Sequence, residues 1–212
     1  MKITKKLLMF ILTTMIVTST VFTINVQAAK LYKKDAAIFR REMKNQLENH
    51  YAYDSITKFT LYDLNGDGRK DLIISPCYFP AGSSEPLCTY IVMKAGKKYV
   101  SKKMSGEFVK AGRRSLLLEY SVTTCTKEWV QGKGRGYLDR RTLFKISKRG
   151  KIVLKAEYRH EKNYSAAPFT TSYNDGNRNN IGVEKYKKLI KKAKLKKLSF
   201  KKMTYKNIKK VK

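Results

Sequence analysis

The chain has 212 residues, with 47 lysines and arginines against 16 aspartates and glutamates, for a net charge of +31. That length gives one domain with a real core. The charge opposes compaction by self-repulsion and favours polyanionic partners such as nucleic acid, anionic lipid surfaces and wall polymers.

Residues 1–28 begin with Lys2, Lys5 and Lys6, continue as an apolar run from Leu7 and end on Val26-Gln27-Ala28. This is the pattern of a secretory signal peptide cleaved after Ala28. Its removal lowers the net charge to +28. No cysteine near Ala28 offers a lipid attachment point, and no LPxTG-type signal or later membrane-spanning stretch appears. The expected mature chain has no transmembrane segment and is secreted, either extracellular or loosely associated with the cell wall.

From Lys33 to Tyr51, Ala36, Ala37, Met43, Leu47 and Tyr51 recur at helical spacing, which predicts an amphipathic helix. The following Val, Ile, Tyr, Phe and Thr runs predict strands near 58–63, 71–77, 88–94, 98–104, 115–123, 137–146 and 151–160. Short Gly-containing connections such as MKAGKKY and SKRGK predict antiparallel hairpins. Residues 163–180 are poor in aliphatics and read as a loop. Ile181, Val183, Tyr186, Leu189, Ile190 and Ala193 then mark a short basic C-terminal helix. The expected class is α+β, with an N-terminal helix packed on an antiparallel β-meander. Residues 29–180 form the helix plus β-rich domain, and 181–212 a lysine-rich helix and tail.

The segment LYDLNGDGRKDLII carries Asp63, Asn65, Asp67 and Asp71 at the first, third, fifth and ninth positions of a loop, with the Arg69 carbonyl at the seventh. Calcium takes six to eight oxygen ligands, and alternating acidic or amide side chains supply them in a tight turn. Gly68 stands at the sixth position, where the turn is sharpest. The loop 63–71 is therefore a candidate structural Ca2+ site. Arg69 and Lys70 add cations expected to weaken it.

These residues resemble the D-x-[DN]-x-DG-x-x-D loops of the EF-hand, dockerin and FG-GAP families. An EF-hand closes with a glutamate at position twelve, which here is Ile74, and lies between helices. The strand-like flanks make the loop more similar to calcium-binding hairpins of the FG-GAP kind. With the preceding helix and the Tyr-rich strands, the chain resembles uncharacterised secreted proteins of Gram-positive, clostridial-type anaerobes, a resemblance that implies no activity.

Cys77, Cys88 and Cys125 allow one disulfide, and a hairpin around PAGSSEP would place Cys77 beside Cys88, although Cys125 competes for either partner. GKGRG lacks the helix and Lys-Ser or Lys-Thr of a phosphate loop. Ser83-Ser84 has no obvious base, and His50 and His160 are too few for a histidine zinc site. Glu119, Glu128, Asp139 and Glu157 are candidate carboxylates for a glycan or polyanion hydrolase, with ion pairing as their simpler role. Cys125 and His160 are a candidate thiol and base.

Fourteen lysines and no acid lie between Lys185 and Lys212. Lys185, Lys188, Lys192, Lys196, Lys197, Lys201 and Lys202 are the expected polyanion-binding set. Lysine is a point charge without arginine's planar fork, so no specific nucleic-acid recognition is expected. The expected partner is an anionic cell-wall polymer. A secreted hydrolase and a dockerin-like module are the alternatives, and the latter calls for a second calcium loop where one is found.

Overall fold

The computed structural model describes residues 29–48, 57–78, 87–125, 135–162 and 169–212. The expected signal peptide, His50, Tyr51, Ser83, Ser84, Glu128 and most of GKGRG lie outside these residues. The order is α1 (Lys33–Glu48), β1 (Lys58–Tyr62), β2 (Asp71–Tyr78), β3 (Leu87–Ala95), β4 (Lys98–Ser105), β5 (Glu107–Gly112), β6 (Ser115–Cys125), β7 (Arg135–Ile146), β8 (Ile152–Lys162), β9 (Thr170–Asp175), α2 (Gly182–Lys192), β10 (Lys201–Lys202) and α3 (Tyr205–Lys209).

The expected α+β class, one meander carrying a packed N-terminal helix, is corrected. The fold is β-rich, with two antiparallel five-stranded sheets ordered β10-β1-β2-β3-β4 and β5-β6-β7-β8-β9. The chain changes sheets at Gly106, where φ is +103° and a Cβ would meet the Glu119 carbonyl oxygen at 2.8 Å. One residue thus ends one sheet and begins the next. In β2, Pro76 falls where the pairing with β3 slips between Ile74 and Cys77, a position at which its missing N–H breaks no regular ladder.

Strand alternation assigns the faces. Ile73, Ile91 and Met93 of the first sheet meet Ala111, Leu116, Leu118 and Ile146 of the second, and Leu64 plugs the end of this inner core. Leu72, Ile74 and Val92 point the other way, towards Ala36, Phe39 and Met43 of α1. On the second sheet's outer face, Leu117, Leu143 and Ala156 pack with Tyr186 of α2. Helical segments therefore cover the outside of the sheets, while the inner core is sheet on sheet.

The C-terminal tail is woven into this body. Lys196 exchanges backbone hydrogen bonds of 2.7 and 3.0 Å with Ala111, covering the edge strand β5. Lys201 and Lys202 pair with Phe59 and Lys58 at the edge of the other sheet. Met203, Ile208 and Val211 are buried beside α1. Among the described residues, no helix is long and apolar enough to cross a membrane.

Candidate functional site: the aspartate loop and its surroundings

The β1–β2 hairpin brings the predicted ligands together. Asp63 accepts from the N–H groups of Asp67 and Gly68 at 3.1 and 3.0 Å, and Asp67 accepts from Arg69 at 2.8 Å. Asn65, fully buried, accepts from Asp67 at 3.0 Å. Gly66 and Gly68 adopt φ of +71° and +85°, so the turn needs glycine at both.

Asp71 closes the loop and is completely buried. Its Oδ2 accepts from Leu64 N–H at 2.8 Å and Asn65 N–H at 3.4 Å, whereas its Oδ1 has no partner. Burial, reinforced by the charges of Asp67 and Asp63, pushes its pKa up to about 8. An orphaned oxygen on a buried carboxylate costs free energy unless a proton or a cation satisfies it.

No group of three His, Cys, Asp or Glu side chains converges on a metal position among the described residues. The loop oxygens instead accept backbone N–H groups. Its remaining donors are an amide oxygen and the Arg69 carbonyl, and each carboxylate oxygen bound by one N–H keeps a further lone pair. A hard cation held here would draw on these oxygens, and Asp71 Oδ1 is the one that lacks any other partner.

The two cations expected to weaken the site point elsewhere. Arg69 Nη2 lies 2.7 Å from both oxygens of Asp35, which is 1% exposed, and the guanidinium sits 4.0 Å over the Tyr32 ring. Tyr99 O–H also donates to Asp35. Burial and the Asp35 carboxylate raise the Tyr99 pKa to about 12. Arg69 thereby anchors the loop backbone to α1 and β4. Lys70 lines a different feature, a cavity of about 280 Å³, with Lys201, Lys210, Lys212, Ser199 and Asn207 and with no acid in its wall.

Three further contacts were not legible in the sequence. Lys30 runs parallel to the loop, donating to the Gly68 carbonyl and accepting from Lys70 N–H, each at 3.0 Å. Asn65 Nδ2 donates to the carbonyls of Lys94 at 3.0 Å and Lys148 at 3.4 Å. Arg114 N–H donates to the Leu64 carbonyl at 2.9 Å. The loop is thus a junction of the N-terminal segment and turns from both sheets.

Of the other candidates, Glu119 and Asp139 come together, whereas Glu157 does not join them and Cys125 does not meet His160. Glu119 and Asp139 share Arg141, at 2.8 and 3.6 Å. Glu157 alternates to the opposite face, where it lines a cavity of about 410 Å³ with Glu161, Asp175, Arg140, Arg159 and Arg178. His160 bonds Thr171 at 2.8 Å and stacks on Phe169. Across the ladder it shares a row with Asp139 and Ser121, four residues from Cys125, or about 13 Å along the strand. Cys88 is disulfide-bonded, and Cys77 is its register partner across β2 and β3. Of the predicted polyanion set, Lys185, Lys188 and Lys192 ride on α2, whereas Lys201 and Lys202 lie on the edge of the first sheet, so the set is divided.

Comparison with known proteins finds no family model, curated protein or solved structure that matches the chain.

Proposed function

We propose that this is a secreted, calcium-stabilised protein held on anionic cell-wall polymers by electrostatic attraction, with no defined catalytic activity. The observation that supports the calcium part is the buried, unpartnered Asp71 Oδ1 in a loop of alternating oxygen donors. The retention part rests on the net charge and on lysines fixed by a folded tail, such as those around the cavity of Lys70, Lys201, Lys210 and Lys212. Calcium, abundant outside cells, would tie β1, β2 and the N-terminal segment together. The charge then needs no covalent anchor to keep the protein at a surface. The hydrolase alternative wants Glu119, Asp139 and Glu157 in one cleft, and these acids are divided between two faces of the second sheet. The dockerin-like alternative wants a second loop of the same pattern.

The test is co-sedimentation with purified Gram-positive walls, before and after teichoic acid is stripped, over a salt series. Binding lost on stripping and steeply reduced by salt is expected. Binding that survives both treatments points to neutral glycan or protein recognition, and absence of binding to intact walls ends the retention reading.

A further inference from the structure

Three hairpin turns carry adjacent basic residues: Lys97-Lys98 after β3, Arg113-Arg114 after β5, and Lys148-Arg149 after β7. In sequence they are unrelated turns. In the fold all three meet at the aspartate loop. Asn65 bonds the carbonyls of Lys94 and Lys148, so the first and third turns lie within one amide of each other. A Cβ on Gly150 would touch Ala95 at 3.2 Å, and one on Gly66 would touch Arg114 and Arg113 at 3.1 to 3.3 Å. The Arg114 carbonyl accepts from Ile146 N–H at 2.9 Å, tying the second turn to the end of β7.

Several other arginines find acids. Arg141 takes Glu119 and Asp139, Arg159 takes Glu161, and Arg69 takes Asp35. Of the six turn cations, none forms an ion pair with an acid among the described residues. Five of them are exposed, and Arg114 is half-buried. Gathering like charges on neighbouring turns opposes folding, and turn geometry alone asks for Gly, Asn or Asp rather than paired cations. Asp63 and Asp67 belong to the loop on which the turns converge, so a cation bound there would offset negative charge beside the cluster.

We infer that this end of the molecule, where the three basic turns converge around the aspartate loop, is the binding site for a linear phosphate-bearing polymer. The inference rests on the retention reading and relocates it from the C-terminal lysines to the turns. The turns present charge from three directions onto one rigid junction, a geometry that engages successive phosphates of a single strand. Lysines on α2 lie along one helix on the outer face of the second sheet, with ordinary solvation as their role.

The experiment measures binding of a short linear inorganic polyphosphate across a salt series, in calcium. One variant replaces Lys97, Lys98, Arg113, Lys148 and Arg149 by Ser, leaving Arg114 with its positive φ untouched. A matched variant replaces Lys185, Lys188, Lys191, Lys192 and Lys197, also exposed, by Ser. The turn variant should bind at least about tenfold more weakly, with a salt slope shallower by about 0.7 for each phosphate it no longer neutralises. The matched variant should stay within about threefold of the parent. A third variant, Arg113→Lys with Arg149→Lys, keeps the charge and should keep the affinity, which separates loss of charge from loss of fold. Equal weakening by both Ser variants overturns the inference while leaving electrostatic retention intact. A parent that binds neither polyphosphate nor intact walls overturns both.

Discussion

Asp71→Asn isolates the loop's chemistry. In chelator the folded protein keeps a proton on Asp71 up to about pH 8, whereas the unfolded chain releases it near the ordinary aspartate value of 3.8. Between those values the unfolded state binds fewer protons, so this group makes stability fall as pH rises, by about 1.4 kcal/mol per unit. Over the whole window the loss is of the order of 5 kcal/mol. On the calcium reading the ion takes the proton's place on Oδ1, so saturating calcium should remove that slope and release a proton on binding. The amide of asparagine keeps an acceptor for Leu64 and Asn65 N–H but never ionises. Urea midpoints should be recorded from pH 5 to 8, in chelator and in excess calcium, for both proteins. The parent in chelator should be steeper in pH than Asp71→Asn, and calcium at a hundred times its Kd should add about 2.7 kcal/mol to the parent alone. Equal slopes in chelator, or an undiminished calcium shift in Asp71→Asn, would refute the assignment of Asp71 as the cation-responsive ligand.

Arg69→Ala leaves the buried Asp35 with Tyr99 alone and should cost about 3 to 5 kcal/mol by chemical denaturation; adding Asp35→Asn should recover part of that loss. Gly66→Ala forces a left-handed alanine against Arg113 and Arg114, while Gly68→Ala meets nothing within 4 Å. Each should lose about 1 to 2 kcal/mol, with Gly66→Ala the lower-melting of the two, and equal melting temperatures would count against the packing described for Gly66. Non-reducing peptide mapping should find Cys77 joined to Cys88 and Cys125 open to alkylation; a bridge to Cys125 would overturn the pairing inferred from strand register.

What the sequence disclosed was local. The alternation of Asp63, Asn65, Asp67 and Asp71, with glycines between them, marked the hairpin, and Val, Ile and Tyr runs between Gly turns marked most strands. Which sheet a strand joins is not a local property, so the change of sheet at Gly106 was invisible. β5 and the Thr170–Asp175 strand were missed because few aliphatics mark them. The latter exists through pairing with β8 and contact with α2, where Tyr173 meets Tyr186 at 5.4 Å. Met203, Ile208 and Val211 are core residues whose apolar signal is lost among lysines, so the tail read as an extension. Arg69 looked like a repulsive neighbour of the ligands because its partner, Asp35, lies 34 residues away.

The backbone bridge between Lys30 and the loop bears on modularity. An EF-hand loop is a self-sufficient piece of chain that can be moved between proteins. This one is assembled: Lys30 supplies a strand alongside it, Asp35 holds its seventh position, Leu64 is seated between the sheets, and Asn65 is fixed by two distant turns. A peptide of residues 61–74 would carry every ligand and none of that support. The site is therefore not portable. On the calcium reading, its cation response is a property of the completed fold, and chemistry placed on the N-terminal residues would act directly upon it.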